Sequence, residues 1–135
     1  MKIFMVLSLW AITAIADPIA SGVLRLPGKL SGNAKNLRTI FISIHDARTQ
    51  SPMPCAAKKL VLEKDAVGDF LSFKLETHTI TMMACPSIPE LMNLKAKLDQ
   101  DGSAGRDQPG DIVGFLKAVK KGSRKLTLTL DKLVE

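Results

Sequence analysis

Thr39-Ile40-Phe41-Ile42-Ser43-Ile44-His45 is the stretch that decides the fold class. Ile40, Ile42 and Ile44 recur with period two and fall on one face, with Phe41 on the other. Alternation carried by β-branched residues predicts a half-buried β-strand rather than a helix. The same reading extends outward. Ala57-Lys58-Lys59-Leu60-Val61-Leu62 follows the Pro-rich turn Ser51-Pro52-Met53-Pro54, and Phe70-Leu71-Ser72-Phe73-Lys74-Leu75 sets Leu71, Phe73 and Leu75 on one side. Leu94-Lys95-Ala96-Lys97-Leu98 and Leu126-Thr127-Leu128-Thr129-Leu130 alternate cleanly. Gly22-Val23-Leu24-Arg25-Leu26 and Ile112-Val113-Gly114-Phe115-Leu116 are weaker runs of the same kind.

These seven runs are separated by Gly, Pro, Asn and Asp clusters, which break strands and make turns. Helical signals are few: Pro89-Glu90-Leu91-Met92 suits a single turn, and Asp65-Ala66-Val67-Gly68-Asp69 is too short and Gly-broken. Seven short strands with turn signals between them predict a single all-β domain, an antiparallel β-sandwich, with an up-and-down barrel as the alternative. An antibody-type core Trp between two cysteines is absent, and no internal repeat or linker interrupts the chain.

The 135 residues suit one domain, and a 46% hydrophobic, 24% charged composition excludes disordered and collagen-like classes. Aromatics make up 4%, with no Tyr and one Trp, so a base-stacking platform, and with it nucleic acid as a partner, is not expected. The N-terminus carries Lys2, an apolar run from Ile3, and the small-x-small triplet Ala14-Ile15-Ala16 before Asp17-Pro18. That is the layout of a cleavable signal peptide over residues 1–16, followed by one domain over 17–135. The apolar run is shorter than the roughly 20 residues a spanning helix needs, and no later segment is long enough. A secreted or periplasmic protein without a stable membrane span is therefore expected.

In such an oxidising compartment Cys55 and Cys85 most often pair, closing a loop of about 30 residues. A metal site or a free redox pair is the alternative. His78-Thr79-Ile80-Thr81-Met82-Met83-Ala84-Cys85 brings imidazole, thioether and thiol together within one short segment. Such soft ligands suit copper, which makes His78, Met82, Met83 and Cys85 the candidate metal ligands and a small periplasmic copper-binding protein the alternative function. As a strand, the segment sets His78 and Met82 on one face and Met83 and Cys85 on the other. Core packing by the methionines competes with that reading.

Asp99, Asp101 and Ser103 place oxygen ligands at alternate positions, yet Gly102 and Gly110 stand where a calcium loop needs other residues. A turn-rich connection is expected there. Lys117 to Lys125 holds five cations around Gly122 and reads as a solvated hairpin turn before the last strand. No Gly-x-Ser-x-Gly, His-Glu-x-x-His or phosphate-binding glycine loop occurs, so no catalytic residue is assigned and catalysis is not expected.

Taken in order, residues 22–133 resemble the C-terminal immunoglobulin-like domain of the bacterial c-type cytochrome biogenesis protein CcmI/CycH. The resemblance rests on Ile40–Ile44, then Ser51-Pro52-Met53-Pro54-Cys55-Ala56-Ala57-Lys58-Lys59-Leu60, Phe73-Lys74-Leu75, Met82-Met83, Leu94–Asp99 and Ser103-Ala104. It ends on Gln108-Pro109-Gly110-Asp111-Ile112-Val113-Gly114 and a final alternating strand, Pro-Gly-Asp-(apolar)-x-Gly being the most specific element. Cys55 and Cys85 lie outside the family's pattern, and a signal peptide stands where the family has transmembrane helices and helical repeats. The resemblance implies an immunoglobulin-like sandwich without cofactor. It also implies a non-catalytic, chaperone-like accessory role in cell-envelope assembly, with a protein client, such as apocytochrome c, held along an exposed strand edge.

Overall fold

The structure, a computed structural model, describes residues 18–135; the expected leader over residues 1–16 lies outside them. Nine strands follow in order: β1 Ala20–Leu26, β2 Thr39–Asp46, β3 Ala56–Val61, β4 Gly68–Leu75, β5 Thr81–Met82, β6 Leu91–Asp99, β7 Ile112–Lys120, β8 Ser123–Thr129 and β9 Lys132–Leu133. A short 3-10 turn, Gly28–Leu30, is the one helical element among the described residues. All seven alternating runs are strands, and two two-residue strands, β5 and β9, are added at sheet margins.

The strands form two sheets, β4-β1-β8 and β5-β3-β2-β6-β7-β9, packed as an immunoglobulin-like β-sandwich. The core between them follows from the alternation. Ile40, Ile42 and Ile44 of β2 and Leu94, Ala96 and Leu98 of β6 meet Leu24 and Leu26 of β1, Phe73 and Leu75 of β4 and Leu128 of β8. Each such fully buried Leu or Ile contributes roughly 1.5–3 kcal/mol by leaving water. The β2–β6 register sets Ile42 opposite Ala96 and Ile40 opposite Leu98, so large and small side chains interdigitate.

Three sequence expectations are corrected. Leu91 and Met92 do not form a helical turn but open β6, where Met92 is fully buried and pairs with Asp46. The cationic stretch is not a hairpin: β7 and β8 flank the Lys121–Gly122 turn but belong to different sheets, so it is a corner of the sandwich. Gly122 takes φ +92° there, a conformation open to glycine at little cost. One pairing departs from antiparallel order, since β1 and β8 run parallel, with Gly22 opposite Leu126 and Leu24 opposite Leu128.

β6 reads buried on both faces over Ala96–Asp99, which strict alternation does not explain. The cause is the 100–111 connection, which lies as a strap across the outer face of the large sheet. The Gly105 carbonyl accepts a hydrogen bond from Lys97 Nζ at 2.9 Å, and the Asp107 carboxylate accepts two from Lys95 Nζ at 2.7 and 2.8 Å. At its base, the buried Asp111 carboxylate accepts the Gln100 and Gln108 N–H groups at 2.9 and 2.8 Å. Gly110 N–H and the Asp111 carbonyl both bond Val134. The Pro-Gly-Asp element is thus a loop clasp.

Candidate functional site

Cys55 and Cys85 form a disulfide, with their Cα atoms 4.6 Å apart. Cys55 is buried at the start of β3, and its carbonyl accepts Met83 N–H at 2.8 Å while Pro54 accepts Ala84 N–H at 3.2 Å. The bridge therefore staples the 76–90 connection, which carries only the two residues of β5, to the large sheet. Disulfides form and persist mainly in oxidising compartments. Among the described residues no helix is long and apolar enough to cross a membrane.

The four candidate copper ligands are arranged differently from the strand expected for them. His78 lies in the turn after β4, and its Nε2 faces Glu76 at 3.3 Å. Met82 ends β5, Met83 lies just beyond it, and both are exposed. Cys85 is in the disulfide, so its sulfur is no thiolate ligand. No group of three or more His, Cys, Asp or Glu positioned to hold a metal ion occurs among the described residues, Asp99, Asp101 and Asp111 included.

Asp99 has another character. It is 3% exposed, its Oδ2 accepts no hydrogen bond, and Lys97 Nζ lies 3.8 Å from its Oδ1. Burial raises its pKa, with help from the hydrogen bond to Asp101 and the Asp111 charge, against Lys97. A carboxyl whose folded pKa is raised supports the fold fully below its unfolded pKa near 3.9 and loses that support as pH rises through the folded value. Asp99→Asn should therefore raise the melting temperature at pH 7 and leave it unchanged at pH 3. Equal effects at both pH values would contradict this assignment.

The small sheet has two margins, β4 and β8, and the β4 margin is the feature best suited to hold a partner. β4 pairs only with β1. The Leu75 carbonyl accepts Ile19 N–H at 2.7 Å on the β1 side, while Arg25 of β1 points its carbonyl away, to Leu130 N–H at 2.8 Å. The antiparallel alternation then turns the backbone groups of Ser72 and Lys74 outward, while the register shift between Leu24 and Arg25 leaves Phe70 as a bulge residue without a β1 partner. The outermost of these, the Lys74 carbonyl, is capped by Lys58 Nζ from β3 at 3.1 Å. Beside this edge runs a groove of about 600 Å³ in which Val61, Val67 and Phe70 alternate with the charged Glu63, Lys64, Asp65 and Asp69. Val61 and Val67 each keep 69% of their surface in water and stand in the lining of the same groove.

A second surface lies on the outer face of the large sheet. Ser43 Oγ and His45 Nε2 are 3.0 Å apart, and burial first, then the Lys95 charge, lowers the His45 pKa. Phe41 lies between Lys59 Nζ at 5.9 Å and Lys97 Nζ at 5.8 Å, and Lys95 Nζ lies 5.7 Å from the Phe115 ring.

Sequence reading named His78, Met82, Met83 and Cys85 but neither the β4 edge nor the Phe41–Lys59 face. Both arise from cross-strand neighbours distant in sequence, and the only local signal was the polar phase of each alternation. No protein-family model, curated protein or solved structure matches the chain.

Proposed function

We propose that the chain is an exported, non-catalytic binding module of cell-envelope assembly that holds an extended protein client against β4. The observation that carries this reading is the unpaired β4 edge at Ser72 and Lys74 beside a groove of mixed apolar and charged lining. A client strand added there gains backbone hydrogen bonds from Ser72 and the Lys74 N–H, and its alternate side chains enter the groove beside Val61 and Val67. That mechanism needs no nucleophile and tolerates varied sequence, as handling an unfolded precursor requires. The likeness to the cytochrome c biogenesis domain supplies the client class, a haem-free c-type cytochrome polypeptide.

The test is titration of the full chain with unfolded, haem-free cytochrome c, alongside Ser72→Pro. Ser72 is exposed and its N–H faces outward, so proline removes the donor a client strand needs and spares the β1–β4 ladder. Binding should fall at least about tenfold while stability changes by about 1 kcal/mol or less. Unaltered binding in Ser72→Pro rejects the β4 edge, and absence of binding by the parent chain rejects the client.

A further inference from the structure

We propose that the uncovered half of the large sheet's outer face, centred on Phe41 and Lys59, binds an extended acidic peptide segment. The register of β3, β2 and β6 places Lys59, Phe41 and Lys97 in one row across the strands. The next row carries Ala57, Ser43, Lys95 and Phe115. Two lysine–phenylalanine groups therefore stand one row apart, about 7 Å along the strands. Phe115 keeps 52% of its surface exposed, and Lys59 is exposed and has no carboxylate within ion-pair distance among the described residues.

The chain itself shows what this chemistry accepts. The strap lies across the adjoining strands, and its Asp107 carboxylate reaches Lys95 at 2.7 Å and Lys97 at 3.7 Å. An acidic segment crossing the same face beside the strap would set one carboxylate at Lys59 and compete with Asp107 for Lys95. Its apolar side chains would lie between Phe41 and Phe115. The formal charge of +6 favours approach by an acidic partner. Carboxylate is favoured over phosphate because a carboxylate already occupies the matching position one row away. This surface belongs to the other sheet from the β4 edge, and Val61, two residues from Lys59 on β3, marks where it borders the groove.

Fluorescence anisotropy of the full chain with a labelled peptide alternating Glu and Leu tests this, with the Lys–Leu peptide as control. The Glu–Leu peptide should bind, the control should not, and salt should weaken the complex. Lys59→Glu should weaken binding about tenfold. Asp107→Asn should strengthen it about two- to fivefold, because the internal competitor is gone. Ser72→Pro should leave it unchanged, which separates this surface from the client edge. Lys59→Glu should unfold within about 0.5 kcal/mol of the parent, as surface substitutions do, and Asp107→Asn within about 1 kcal/mol, since it weakens a partly exposed ion pair. Equal binding of the two peptides, indifference to Lys59→Glu, weakening by Asp107→Asn or loss in Ser72→Pro would each overturn the proposal. Tighter binding to phosphatidylglycerol vesicles or to a single-stranded oligonucleotide than to the peptide would overturn it in favour of phosphate.

Discussion

Gly22→Ala should lower the unfolding free energy by about 3 kcal/mol or more, measured by urea titration with circular dichroism. Gly22 sits in mid-β1 between two partners, Phe73 of β4 and Leu126 of β8. A Cβ added there would land on the Leu126 carbonyl and come within 2.8 Å of its amide nitrogen. Those are backbone atoms held in the parallel ladder, with no rotamer to move. β1 and β8 would have to part, taking the packing of Leu24 on Leu128 with them. At an ordinary site, replacing Gly by Ala stabilises by about 0.4–1 kcal/mol through the unfolded chain, so here the sign reverses. Gly28→Ala is the control, since nothing lies within 4 Å of its added Cβ. A Gly22→Ala protein as stable as the Gly28→Ala one would refute the close approach of β1 and β8.

The double substitution Cys55→Ala/Cys85→Ala should cost roughly 3–4 kcal/mol, because the bridge restricts a loop of about 30 residues in the unfolded chain. The loss should also be local. β5 contributes two residues, and around the bridge the 76–90 connection is held by the Met83-to-Cys55 and Ala84-to-Pro54 backbone bonds, with Ile80 and Ile88 packed on the core to either side. Hydrogen exchange at Met83 and Ala84 should therefore accelerate well before exchange at Ile42 and Leu94, which lie in the central β2–β6 pair. Reduction of the parent protein should reproduce both effects. A variant that keeps its stability and its Met83 protection would show that the staple carries neither.

Strand existence was legible because the chemistry is local. Ile40, Ile42 and Ile44 can hide together only on one face of an extended chain, and the same holds for Leu94, Ala96 and Leu98. The Cys55–Cys85 pairing was legible for a related reason, as two cysteines allow one intramolecular bridge. Leu91 and Met92 were misread because Pro89 and Glu90 resemble a helix start, whereas the neighbouring Asp46 and Lys120 strands were there to be paired. His78 and Cys85 appeared to alternate along one strand, but the staple at Cys55 and the turn at His78 leave only Thr81 and Met82 extended.

By itself the sequence determined the fold class, the inward and outward phase of each long strand, and the chemical nature of every side chain. Hydrophobic period and turn residues act within a few positions, so they are written in the order of the chain. Tertiary structure alone decided which strands form the sheet margins, that β1 and β8 run parallel, that the 100–111 strap buries Lys97 and Asp99, and that Phe41 lies between two lysines. Each of those depends on partners tens of residues apart being brought within a few ångströms. Strand order and register, which no local period encodes, set that proximity.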